Sequence, residues 1–162
     1  MRIVRHFAMA FLLAAAPYSA NAQSSDPNAE ACFNKSRADA IIGCTAAIRL
    51  DPQSPDAFNN RGLAYAAQHD YARAIADYSG AIRLNPQYAQ AFNNRGNTYR
   101  IQKDYARAIA DYDEAIRVRP QFAFALYGRG LSKARLGQAI ASKADMDRAP
   151  ASDPKVADQF TD

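Results

Sequence analysis

The chain is poor in the side chains from which active sites are most often built. Its 162 residues hold two histidines and two cysteines, and one histidine, His6, lies among the first residues. His69 therefore has no second imidazole with which to share a metal, and it falls in a turn where a positive φ is tolerated. No serine or cysteine has a base at a spacing that makes a nucleophile, and no glycine-rich phosphate loop follows a strand. Asp77 and Asp111 read as exposed partners of Arg73 and Arg107 on a solvated helix face. The inventory excludes an enzyme: no catalytic residue, metal ligand or cofactor is assigned.

A charge excess is missing too. Twenty basic residues stand against sixteen acidic ones, and two of the arginines, Arg2 and Arg5, belong to the first 22 residues. Without those, eighteen face sixteen, well interspersed. A nucleic-acid footprint needs clustered cations on one face, so nucleic acid is excluded as a partner. Nor is there a long hydrophobic run, since the apolar stretch at residues 7–16 is too short for a stable membrane span. Preceded by Arg2 and Arg5 and followed by Ala20-Asn21-Ala22, it reads as an export signal cleaved before Gln23. Tyr18-Ser19-Ala20 offers a second cut point, and a retained anchor is the alternative. The expected protein is exported, periplasmic or secreted, with no membrane contact after cleavage. In an oxidising compartment the even pair Cys32 and Cys44 favours a disulfide; two buried free thiols are the other reading.

What the chain has instead is repetition. The hexapeptide AFNNRG occurs at residues 57–62 and returns at 91–96, 34 residues on. Residues 70–86, DYARAIADYSGAIRLNP, return at 104–120 as DYARAIADYDEAIRVRP, with 13 of 17 positions identical. A fixed period with this much identity marks an array of stacked units. Each unit divides into two helical halves. Phe58, Gly62 and Tyr65 share a face of the first, and Tyr71, Ala74, Ile75, Tyr78, Ala81 and Ile82 form a stripe on the second. Pro86 and Pro120 end the second halves, and Asp70 and Asp104 are placed to cap them at the start. Gly62, Ala74 and Ala81 mark where two helices approach closely.

These positions resemble the tetratricopeptide repeat. Phe58, Gly62, Tyr65, Ala74, Tyr78, Ala81 and Pro86 match its pattern in one unit, and Phe92, Gly96, Tyr99, Ala108, Tyr112, Ala115 and Pro120 in the next. The resemblance implies an all-α fold, a short right-handed α-solenoid of antiparallel helix pairs. Repeat 1 spans residues 55–88, repeat 2 spans 89–122, and a degenerate repeat 3 spans 123–154, followed by a tail at 155–162. In repeat 3, Lys133 replaces a tyrosine and Ser142 an alanine, and Pro150 is expected to end the second helix early. Residues 23–54 form a cap or partial repeat, with Cys32 on its first helix and Cys44 on its second. A bridge there would staple the half-repeat that lacks a neighbour, an arrangement similar to exported bacterial members of the family.

What the resemblance implies for function is non-catalytic protein–protein interaction, with an extended peptide or partner segment held in the concave groove lined by the first helices. Its inward positions are Asn59 and Asn60 in repeat 1, then Asn93, Asn94, Asn97 and Arg100 in repeat 2. Tyr127 and Arg135 follow in repeat 3. An amide offers both a donor and an acceptor, so it can bond a peptide main chain of any sequence. Asn60 and Asn94 hold the position that forms such a ladder in some members; Asn59 and Asn93 rank second, and bonding to neighbouring helices is the alternative. Repeat 3 reads ALYGRG, so the ladder has two rungs. The family's carboxylate clamp is not matched, because Asn59 and Phe124 or Tyr127 replace its lysines. Arg61, Arg95 and Arg129 are expected to lay their stems over the core. The alternative function is structural self-association through a thinly covered C-terminal stacking face.

Overall fold

Serine, aspartate and proline punctuate the chain, and the helices obey them. The structure, a computed structural model, describes residue 32 and residues 37–152. The expected signal, the first helix of the cap apart from Cys32, and the tail at 155–162 lie outside the described residues. Seven helices, and no strand, occur among the described residues: α1 (Arg37–Leu50), α2 (Pro55–Ala67), α3 (Tyr71–Leu84), α4 (Ala89–Ile101), α5 (Tyr105–Val118), α6 (Ala123–Arg135) and α7 (Ala139–Ser152). Ser54 caps α2 through the Ala57 amide, with Pro55 in the first turn where its missing N–H costs nothing. Asp70 and Asp104 accept from the amides of Arg73 and Arg107 and so start α3 and α5. The tight turns before them put His69 and Lys103 at φ 61° and 63°.

Each helix packs chiefly on its neighbours in sequence, and α4 also touches α6 and α2, so the first helices form one layer and the second helices another. The close approach within a repeat rests on small residues. Ala74, Ala81, Ala108 and Ala115 are fully buried around Tyr78 and Tyr112. A β-carbon on Gly62 would lie 2.7 Å from the Tyr78 ring, so only glycine lets α2 and α3 meet at that point. Most of the buried apolar side chains of these repeats are alanine, which gives a thin core in which each ring carries much of the burial.

At the N-terminal end Cys32 and Cys44 form a disulfide, buried with Ala57 and flanked by Ala47 and Ile48. The bridge is thus internal to the cap, and its sulfurs pack against Ala57 of α2. At the other end α7 runs on through Pro150 to Ser152, against the expected early stop. Proline removes one N–H and crowds the preceding turn, but near a helix terminus few ladder bonds remain to be lost.

Candidate functional site

Three arginines fix the layer on which any groove must be built. Arg95 on α4 donates from Nε and Nη2 to both carboxylate oxygens of Asp111 on α5, at 2.8 and 2.7 Å. Its Nη1 reaches back to Ser79 Oγ on α3 at 2.8 Å. Arg61 repeats the arrangement with Asp77 and Thr45, and Arg129 with Asp145 and Asp113. One guanidinium therefore joins three helices: its own, the second helix of its repeat and the second helix of the repeat before. Planar, bidentate geometry suits arginine to this task. The finding corrects the expected exposure of Asp77 and Asp111, which are 7% and 5% exposed and face Arg61 and Arg95. Arg73 and Arg107 instead pair with their capping aspartates and lie over the rings of Tyr65 and Tyr99.

Burial and pairing then divide the carboxylates. Desolvation holds Asp111 above the ordinary carboxylate range despite its bonds to Arg95. Asp145 is equally buried, and burial pushes it the same way, but Arg129 and Lys133 together overcome this and hold it below that range. Lys133 is the residue that replaces the repeat tyrosine, and its Nζ sits 2.8 Å from Asp145. Position 141, where repeats 1 and 2 carry the stacking arginine, is alanine, so a tyrosine at 133 would have no cation to hold.

The asparagines form a chain of amides across two first helices. Asn93 Nδ2 donates to Asn94 Oδ1 at 3.5 Å, Asn94 Nδ2 to Asn59 Oδ1 at 3.0 Å, and Asn59 Nδ2 to Asn60 Oδ1 at 3.4 Å. Asn59 and Asn93 are buried, while Asn60 and Asn94 are half-buried. The chain begins at Asn93 Oδ1, which is buried and accepts no hydrogen bond among the described residues. In repeat 3 the next asparagine is replaced by Gly128, and the Tyr112 hydroxyl takes its place: a β-carbon there would lie 2.7 Å from that oxygen. The hydroxyl donates to Asn97 Oδ1 at 2.6 Å. Burial raises the Tyr112 phenol above its ordinary range, with the nearby Arg100 charge opposing the shift, so the hydroxyl stays protonated as the donor.

Asn93 is among the residues lining a cleft of about 520 Å³ between α4 and the start of α6. Gln90, Asn93, Asn94, Asn97, Arg100 and Ile101 line one side, spaced three and four apart along a single face of α4. Arg119, Phe122 and Phe124 line the other. The Arg119 guanidinium stands 4.6 Å from the centroid of the Phe122 ring, which meets Phe124 edge to face.

Residues 55–88 and 89–122 each match the tetratricopeptide repeat family. Residues 55–122 are thus two tetratricopeptide repeats. Two solved structures of MamA resemble much of the chain: one at 26% identity over 78% of this chain and 69% of that one, TM-score 0.66, the other at 27% over 75% and 71%, TM-score 0.68. The tetratricopeptide domain of Arabidopsis OM64 shares the fold at 22% identity, covering 62% of this chain and 84% of that one, TM-score 0.60. No curated protein matches the chain. Tetratricopeptide repeats generally serve protein–protein interaction and are generally not catalytic.

Of the inward positions read from the repeat pattern, Asn93, Asn94, Asn97 and Arg100 come together in the cleft. Asn59 and Asn60 lie outside its lining and join it through the amide chain. Tyr127 packs beside Ala123, Leu126 and Ala149 in the core of repeat 3, and Arg135 is exposed at the end of α6. Arg119 and Phe122 were not among the expected site residues, because they belong to the turn between repeats rather than to a first helix. The arginine–aspartate pairs were also missed, although the sequence carries their signal: an aspartate follows each of Arg61, Arg95 and Arg129 by 16 residues.

Proposed function

We propose that this protein binds an extended peptide or partner segment along the inner faces of α2, α4 and α6, centred on the repeat-2 cleft. The observation that carries the reading is the cleft itself, which sets Asn93 and Asn94 of α4 opposite Arg119, Phe122 and Phe124. Asn97, Gln90 and Arg100 supply further polar groups on the same helix face. The described groove is short, so affinity is modest unless the protein works in a larger assembly. The working compartment is exported, periplasmic or secreted, a reading supported by the Cys32–Cys44 disulfide.

Photo-crosslinking tests the groove. A crosslinker in place of Asn97 is expected to trap a partner that one in place of Arg83, on the exposed side of α3, does not. Trapping from Arg83 alone overturns the reading.

A second reading has its own observation. Ile140 on α7 is 91% exposed and Leu136 beside it 48%, as an open stacking face would be. Self-association through this end predicts a dimer in light scattering that Ile140→Lys returns to monomer. A monomer in the wild type excludes it.

A further inference from the structure

Charge in the repeat-2 cleft is one-sided. Its lining includes two guanidiniums, Arg100 and Arg119, and no carboxylate. The arginines that join the repeats, Arg61, Arg95 and Arg129, each pair with a carboxylate of the chain. Arg119 meets neutral groups instead: Gln90 Oε1 at 3.3 Å and the Phe122 ring. It is exposed at the rim, held over the cleft by that ring and that amide. Beside it the half-buried Phe124 and the exposed Ile101 give the cleft an apolar margin.

Two demands are thus set within one cleft: an anion and an apolar side chain. We infer that the cleft takes an internal stretch of an extended peptide in which an aspartate or glutamate stands next to an apolar residue. This rests on the groove reading above and specifies its ligand. The carboxylate bonds Arg119 in the field of Arg100, and the apolar side chain lies against Ile101 across the cleft. Successive side chains of an extended strand point to opposite sides, so with the carboxylate on the Arg119 side its neighbour turns across the cleft to Ile101 on α4. The stretch is internal because the amide chain continues from Asn93 through Asn94 and Asn59 to Asn60, past the lining of the cleft. A main chain following those amides has residues beyond the anion-binding position.

Selection of random peptides on the purified full chain tests this, followed by fluorescence anisotropy with synthetic peptides blocked at both ends. Enrichment of Asp or Glu beside an apolar residue is expected. Replacing the acid by its amide should weaken binding about tenfold, the worth of one charge-assisted hydrogen bond. Arg119→Gln should weaken the acidic peptide by a similar factor and leave the amide peptide unchanged. Arg119→Gln keeps the backbone N–H bond to Ala115 O that closes α5, so the variant is expected to melt like the wild type. Peptides that bind with no preference for acid, or an Arg119→Gln loss shared equally by both peptides, overturn the inference and leave the groove reading standing. Binding only by peptides with a free C-terminal carboxylate overturns the internal assignment. If no peptide binds, both readings fall.

Discussion

Asn94 on the first helix of repeat 2 donates its side-chain amide to Asn59 Oδ1 on the first helix of repeat 1, at 3.0 Å. The bond makes the pair part of the seam between repeats as well as of the groove surface. Asn94→Ala leaves the Asn59 oxygen buried without its donor, and a loss of about 1–2 kcal/mol is expected in urea unfolding. Asn60→Ala removes only the half-buried end of the chain and is expected to cost less than about 0.5 kcal/mol. Equal losses would show that the amide chain does not bear on stability.

The Arg95–Asp111 pair is bidentate and largely buried. Removing one partner strands the other: Arg95→Met or Asp111→Ala is expected to cost about 2–4 kcal/mol, and the double variant less than the sum. Additive losses in a double-mutant cycle would mean the two groups do not interact appreciably.

Gly128→Ala drives a methyl group into the Tyr112 ring and hydroxyl, at 2.6 to 2.8 Å. An overpacking loss of about 1–3 kcal/mol is expected, with a shift in the NMR signals of the Asn97 amide as its phenol donor moves. An unperturbed Asn97 would contradict the contact.

Disulfide loss acts at the end of the array. Cys32→Ala/Cys44→Ala is expected to cost about 2–3 kcal/mol, read first as lost hydrogen-exchange protection in α1, because a stack frays from its termini. Protection lost uniformly from α1 to α6 would refute a local role.

Acid should separate the two carboxylates. Asp145 lies below its unfolded value, so its contribution to stability is present above the ordinary carboxylate pKa and is lost as pH falls through the lower folded value. Asp111 lies above its unfolded value, so protonation relieves a desolvation cost, and its contribution diminishes as pH rises through the folded value. Carboxyl-carbon NMR in an acid titration should therefore show Asp111 protonating first and Asp145 later. Lys133→Met is expected to move Asp145 upward toward Asp111. Coincident midpoints in the wild type would contradict the second cation's effect.

How much of this was legible depends on the range of the signal. The 34-residue period, the glycine–tyrosine contacts, the aspartate caps and the proline stops are local or strictly periodic, and the sequence by itself determined them. It also placed Asn93, Asn94, Asn97 and Arg100 on one helix face, since spacing of three and four requires it. Tertiary structure alone decided which partner each polar group takes. Asp77 has Arg73 four residues before it and Arg61 sixteen before it. The local pair was the obvious choice along a helix, yet helix packing buries Asp77 against α2, where only Arg61 can satisfy both its oxygens. Arg73 is left to Asp70 and the Tyr65 ring. The same holds for the cleft: Arg119 and Phe122 are turn residues with no helical periodicity to reveal them, and they face α4 only because the stacking of repeat 3 on repeat 2 folds that turn back. Short-range patterns follow from backbone geometry, whereas the pairing of charges and amides depends on which groups the packing removes from water.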